Sequence, residues 1–165
     1  MMRLASLADV PGMAALAADH FPGTLEELVG LLTESMTDAE TCVGVVVVEA
    51  DELTAWGMVR HLTPKVVDEE HAPPGWYLLG VIVRSDRRRR GHGDALTRVR
   101  LDWLSSRTDR VYYFTAADNE ASQRLHAAFG FHRVRGGLTH RTLAFDGGPM
   151  TLFERSLSSA SGPPG

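Results

Sequence analysis

Val81-Ile82-Val83-Arg84-Ser85-Asp86-Arg87-Arg88-Arg89-Arg90-Gly91-His92-Gly93-Asp94-Ala95-Leu96 decides how this chain reads. An apolar run ends, a charged turn follows, and two glycines lead into a segment with apolar residues at helical spacing. Tyr77–Val83 is almost wholly apolar, the pattern of a strand buried on both faces. Beyond the glycines, Ala95, Leu96, Val99 and Trp103 fall on one side of a helix. Asp94 and Arg98 make an i, i+4 pair, with the acid near the positive end of the helix dipole. The first amides of such a helix have no internal partners and point outward. Glycines let a phosphate approach that backbone closely, and neighbouring arginines add charge and forked hydrogen bonds. A dinucleotide fingerprint is incomplete, because Leu96 stands where the third glycine belongs. A Walker loop is excluded, since no Gly-Lys-Ser/Thr follows.

Working outward, α and β patterns alternate without an internal repeat. Towards the N-terminus, Met2–Leu7 reads as a short strand and Pro11 opens an alanine-rich helix to about Ala18. Thr24 with Glu27 three residues later has capping-box spacing, and Leu25, Leu28, Val29 and Leu32 keep a helical period. Cys42–Ala50 and Leu53–Leu62 read as strands around an Asp51-Glu52 turn, with Trp56, Met58 and Leu62 on one face. Thr63–Gly75, with Pro64, Pro73 and Pro74, reads as a loop. Towards the C-terminus come a strand at Val111–Ala116, a helix at Asn119–Phe129, and closing strands at His132–Val134 and Met150–Arg155. Gly136-Gly137 and Gly147-Gly148 lie between those last two strands. The fold class expected is α/β, one domain over residues 1–157 with a central mixed sheet and about four helices. Ser158–Gly165 is expected to be a frayed tail.

The chain has 165 residues, 44% hydrophobic and 23% charged, which excludes wholesale disorder. A net charge of −4 argues against a generic nucleic-acid binder. The single cysteine, Cys42, excludes an internal disulfide and a cysteine-cluster metal site, and its β-branched surroundings make it a strand residue. No apolar run approaches the roughly 20 residues of a membrane helix, and Met1–Val10 lacks a signal peptide's apolar stretch. The expectation is a cytoplasmic protein without a membrane or nucleic-acid partner and without a metal.

Arg88-Arg89-Arg90-Gly91-His92-Gly93 resembles the acetyl-CoA motif Arg/Gln-x-x-Gly-x-Gly/Ala of the GNAT (GCN5-related) N-acetyltransferases. Asn119-Glu120-Ala121-Ser122-Gln123-Arg124-Leu125-His126-Ala127-Ala128-Phe129-Gly130-Phe131 resembles a second element of that family, Asn-x-x-Ala/Ser-x-x-x-Tyr-x-x-x-Gly-Phe. The two motifs stand in order across Tyr77–Phe131; the first half of the chain matches in element order alone. The resemblance implies a splayed sheet with acetyl-CoA wedged between the strands at Leu78–Val83 and Val111–Ala116. Val81, Ile82 and Val83 would run beside the pantetheine arm, and Arg88, Arg89, Arg90, Gly91, His92, Gly93 and Asp94 would hold the pyrophosphate. Asn119 and Ser122 would meet the cofactor from the second motif, and the Val81 amide would stabilise the oxyanion.

Acetyl transfer needs a neutral amine in line with the thioester carbonyl, a donor for the oxyanion and a proton for the departing thiolate. Asn119, Ser122 and His126 share one polar helical face, with Ala121, Leu125, Ala128 and Phe129 on the adjacent apolar one. The family often places its acid, a tyrosine, where this chain has His126. That residue is therefore the candidate general acid, and the imidazole is a departure from the pattern. Asp118, Glu69, Glu70 and a bound water are the alternatives for the base. Trp76, Tyr77, Tyr112, Tyr113, Arg60 and His61 are divided between packing and an acceptor pocket. The resulting expectation is an acetyl-CoA-dependent N-acetyltransferase acting on a primary amine, with small molecules preferred to a protein terminus. A CoA-binding sensor that has lost turnover is the alternative from another class. The resemblance also admits a homodimer, for which the sequence offers no interface.

Overall fold

Strand and helix patterns alternate in the folded chain as they do in the sequence, giving seven strands and four α-helices among the described residues. The structure is a computed structural model and describes residues 1–63, 73–138 and 150–157. Pro64, Glu69 and Glu70, Gly147-Gly148 and the Ser158–Gly165 tail lie outside the described residues. The strands are β1 (Met2–Leu4), β2 (Cys42–Glu49), β3 (Glu52–Leu62), β4 (Gly75–Val83), β5 (Arg110–Ala116), β6 (His132–Leu138) and β7 (Met150–Ser156). The helices are α1 (Val10–Ala17), α2 (Leu25–Thr37), α3 (His92–Leu104) and α4 (Glu120–Ala127). One sheet runs in the order β1-β2-β3-β4-β5-β7-β6. Among its neighbours β4 and β5 alone are parallel, which makes it mixed.

Helices α1 and α2 cover one face, where Met13, Ala14, Ala17, Leu28 and Leu32 pack with Val46, Trp56, Met58 and Ile82. Helix α3 covers the other, setting Leu101 and Leu104 against Val59, Leu78 and Val111. Each such leucine, fully buried, contributes roughly 1.5–3 kcal/mol. Two expected stripes shift. In α2, Leu28 and Leu32 are buried but Leu25, in the first turn, is 51% exposed. In α3 the buried set is Leu96, Thr97, Arg100, Leu101 and Leu104; of the expected face Leu96 is buried, while Ala95, Val99 and Trp103 are half-buried, so the helix is turned part of the way from that face. The turn is large enough to bring an arginine inward.

The feature that makes room for a ligand lies in β4. Gly57 of β3 pairs with Val81 and Met58 pairs with Leu79, so Gly80 is the extra residue of a bulge. Its φ of +61° lies in the left-handed region that a glycine enters without cost. Between β4 and β5 the pairs are Trp76 with Val111 and Tyr77 with Tyr112. Beyond Tyr77 the two strands separate, and their facing edges lose each other's hydrogen bonds.

Candidate active site

Arg100 fixes the bulge from the α3 side. Its side chain is fully buried, and Nη1 donates to the carbonyls of Gly80 at 2.9 Å, Met58 at 3.1 Å and Leu79 at 3.4 Å. Nε donates to Leu96 O at 3.1 Å, and Nη2 reaches Thr97 Oγ1 at 3.3 Å. Successive carbonyls of a regular strand point opposite ways; a bulge lets one guanidinium collect two of them. Burial pulls the Arg100 pKa down, yet arginine keeps its proton at neutral pH, so backbone dipoles take the place of water around the charge. Gly57 is required by the same arrangement, since a Cβ there would sit 3.0 Å from the guanidinium carbon.

The opening between β4 and β5 continues into a cleft of about 660 Å³. Val81, Ile82, Val83, Arg88, Arg89, Gly91, His92, Gly93, Asp94, Asn119, Ser122 and His126 of the expected site all line it. Arg90 is absent from that lining, whereas Arg87, His20 and Phe21 join it. Gly91 is the N-cap of α3 at φ +80°, and no side chain caps this helix. Its first amides are therefore open to a ligand that carries negative charge. Gly93 is tight for another reason: a Cβ would meet Leu125 at 3.4 Å and Val81 at 3.6 Å, so the glycine seats α3 against β4 and α4.

The arginines of the turn divide their work. Arg84 is held by Glu52 and Asp86, each at 2.7 Å. Arg87 Nε and His92 Nε2 both lie 3.4 Å from Glu49, at the end of β2, so the His92 side chain is turned to a carboxylate. Arg88 donates to Val83 O at 3.3 Å and stands 3.5 Å from His20 Nε2. Arg89 takes a φ of +60° and is exposed.

In α4 the expected faces hold in part: Leu125 and Phe129 are half-buried and Asn119 is exposed, but His126 and the alanines depart from them. His126 is the buried residue of this helix, while Ala121 and Ala128 are exposed. The imidazole stacks on Tyr113 at a centroid distance of 3.8 Å and meets the edge of Phe131. Nδ1 lies 2.8 Å from Ser122 O. A carbonyl can only accept, so Nδ1 carries the proton and the neutral ring has a lone pair at Nε2. Desolvation, partly offset by that bond, pushes the His126 pKa down to about 4. The ring is neutral at pH 7. Asn119 is the N-cap of α4, its Oδ1 accepting from Ser122 N–H at 3.2 Å. The Tyr113 hydroxyl is buried without a hydrogen-bond partner among the described residues.

A second cavity, of about 180 Å³, opens from the α2 side. Leu28, Leu31, Leu32 and Ser35 of α2 line it at i, i+3, i+4 and i+7, facing Trp56, Met58 and Arg60 on alternate residues of β3. It shares Phe21, Leu78, Gly80 and Phe114 with the cleft. Of the aromatic residues divided between packing and pocket, Tyr113 lines the cleft; Trp76 instead packs on His61 and Trp103, and Tyr77 on Tyr112. Asp118 is exposed and lines neither space. Sequence reasoning missed Arg100 and the bulge, because an arginine in α3 reads as solvated until the carbonyls it meets are known.

The site is thus a mixed sheet opened between β4 and β5, with the unclosed start of α3 at the mouth of the opening. The family model described as Acetyltransferase (GNAT) family matches residues 12–131; the chain belongs to that family and is an N-acetyltransferase. The family's acetyl donor is acetyl-CoA. A ribosomal-protein-alanine N-acetyltransferase from Brucella melitensis is 18% identical, with 95% of this chain and 99% of that chain covered, at a TM-score of 0.72. An N-acetyltransferase from Staphylococcus aureus Mu50 is 16% identical over 96% of this chain and 98% of that one, at a TM-score of 0.74. A phosphinothricin acetyltransferase from Sinorhizobium meliloti, solved with AcCoA, is 12% identical over 95% and 88%, at a TM-score of 0.72. These likenesses establish the shared fold. No curated protein matches the chain. No helix among the described residues is long and apolar enough to cross a membrane.

Proposed function

We propose that the chain moves the acetyl group of acetyl-CoA directly to a primary amine of a small molecule. One observation carries this reading: the cleft and the second cavity meet at Phe21, Leu78, Gly80 and Phe114, so a donor and an acceptor can approach one point from opposite faces of the sheet. The amides leading into α3, with Arg88 and Arg89, fit a pyrophosphate. The open edge of β4 at Val81–Val83 fits an extended amide-bearing arm. Val81 N–H, next to the bulge, is assigned the oxyanion. A preorganised donor of this kind contributes about 10²–10³-fold to kcat.

Proton movement follows from the state of His126. A neutral imidazole whose Nδ1–H is committed to Ser122 has no proton to give at Nε2. We therefore assign His126 to positioning the cleft wall, by its stack on Tyr113, in place of the acid role. When the amine attacks, the N–C bond forms and the nitrogen becomes positive. The C–S bond then breaks, and the nitrogen's proton leaves through water to the thiolate. A free thiol's pKa near 8.5 makes that last demand modest.

The test is acetyl-CoA consumption, followed by thiol release, with a panel of primary amines, alongside calorimetric titration of acetyl-CoA. Amine-dependent thiol release with a matching N-acetyl product supports the reading. Tight binding of acetyl-CoA with no amine-dependent release would favour the sensor alternative. His126→Phe within threefold of the parent kcat between pH 6 and 9 is expected. A loss of tenfold or more that His126→Tyr restores would return the acid role to this position.

A further inference from the structure

The second cavity has an apolar lining with a cationic end. Among the described residues its polar side chains are Ser35 and Arg60, and no carboxylate of theirs lines it. Arg60 Nη1 donates to Ser35 Oγ at 3.1 Å. No carboxylate among the described residues forms an ion pair with Arg60. Guanidinium has five donors in a fork that matches a carboxylate, so most of its capacity is uncommitted to acids here. A cationic acceptor would meet no counter-charge from the described lining and would be repelled by Arg60.

The register gives an order along the cavity. Met58 pairs with Leu79 beside the Gly80 bulge, where the two spaces meet, and Arg60 is two residues further along β3 on the same face. Resting on the acetyltransferase reading, we propose that the acceptor is a primary amine with a short apolar body and a carboxylate at its far end, and that Arg60 binds this carboxylate. The amine points to the Gly80–Phe114 junction, the body lies between Leu28 and Leu32 of α2 and Met58 of β3, and the acid reaches Arg60. Two sources share the required chemistry: a dipeptide, whose amine and carboxylate stand on adjacent residues, and an ω-amino acid.

The experiment compares kcat/KM for Gly-Leu with its C-terminal amide, and for 5-aminopentanoate with pentylamine. Each acid is expected to be preferred to its neutral partner by at least tenfold, with the larger ratio identifying the source. Arg60→Met should collapse the ratio to about one, and Arg60→Lys should restore part of it. A ratio near one in the parent enzyme overturns the proposal without needing any variant, as does a ratio that survives Arg60→Met. Acetyl-CoA binding is titrated on the same protein. Its absence would sink the acetyltransferase reading and the proposal together. If acetyl-CoA binds but no amine is turned over, calorimetry of the four amines on the CoA-saturated protein reads the same ratios. No preference for the acids there overturns the proposal alone.

Discussion

Helix α2 opens with Thr24 Oγ1 accepting from Glu27 N–H at 3.2 Å while Glu27 Oε2 accepts from Thr24 N–H at 2.7 Å. Helix α3 opens on Gly91, which has no side chain to offer. Both helices run thirteen residues and pack a leucine stripe on the sheet, so the same orphaned amides arise at each first turn. In α2 the chain closes them itself. In α3 it leaves them to something that arrives from outside. Helix α4 stands between these cases: Asn119 closes its start, yet Asn119 and Ser122 line the cleft. An unclosed helix start beside a gap in a sheet is thus a difference within one molecule, and it points to the ligand side.

The largest expected effect concerns how α4 is seated, since a titratable ring holds it to the sheet where leucines hold α2. The His126 pKa is about 4 in the folded chain against 6.5 for a free imidazole. Between those values the unfolded chain binds more protons, so stability falls as pH drops from 6.5 and the loss is complete below about 4. At 1.36 kcal/mol per unit the loss reaches about 3 kcal/mol. Denaturant unfolding from pH 7.5 to 4 checks this, and His126→Phe should remove that part of the slope.

Closing α3 as α2 is closed should cost the ligand. Gly91→Asp puts a carboxylate where negative charge is expected to bind, and aspartate enters left-handed φ more readily than most residues. CoA affinity should fall at least tenfold by calorimetry, with the melting temperature of the ligand-free protein changed by a few degrees. An unchanged affinity would mean that the phosphate sits elsewhere. Asn119→Ala should lower stability by about 1 kcal/mol, the usual value of a cap. If Asn119 acts on the helix alone, CoA affinity stays within threefold; a greater loss makes it a ligand contact as well. The smallest effect is the control, Thr24→Ala, which should cost about 0.5–1 kcal/mol of stability and leave CoA titration curves superimposable on the parent's.

Much of this contrast was legible before folding. The Thr24–Glu27 spacing and the Gly91–Gly93 pair are local signals, because caps and turns are decided by residues three or four apart. The element order follows from the same short-range patterns. What could not be read is what several elements decide jointly. Arg100 looks solvated when α3 is read alone, since an arginine's default is water, and only the carbonyls that the bulge turns toward it make burial tolerable. His126 was set on a polar face by spacing, but Tyr113 and Phe131 supply an aromatic slot that takes the ring inward. Leu25 keeps the helical period of Leu28 and Leu32 yet is exposed, a difference that periodicity alone does not draw. The second cavity was invisible because it is a space between an α2 stripe and a β3 face, and each looked like ordinary packing by itself.

The separation of β4 from β5 beyond Tyr77 gives the protein two strand edges in its interior instead of at its rim. An unpaired edge is a template for any extended chain, and proteins usually blunt such edges with charges, prolines or short length. None of those devices is present along Leu78–Val83, whose sequence is Leu-Leu-Gly-Val-Ile-Val. The protection here has to come from depth within the sheet, from the helices on either side, and from an occupant that bears amides of its own. Ligand-free protein should accordingly be the aggregation-prone form, and amide exchange at residues 78–83 should slow when CoA is added, while exchange in β2, paired on both sides, stays as it was.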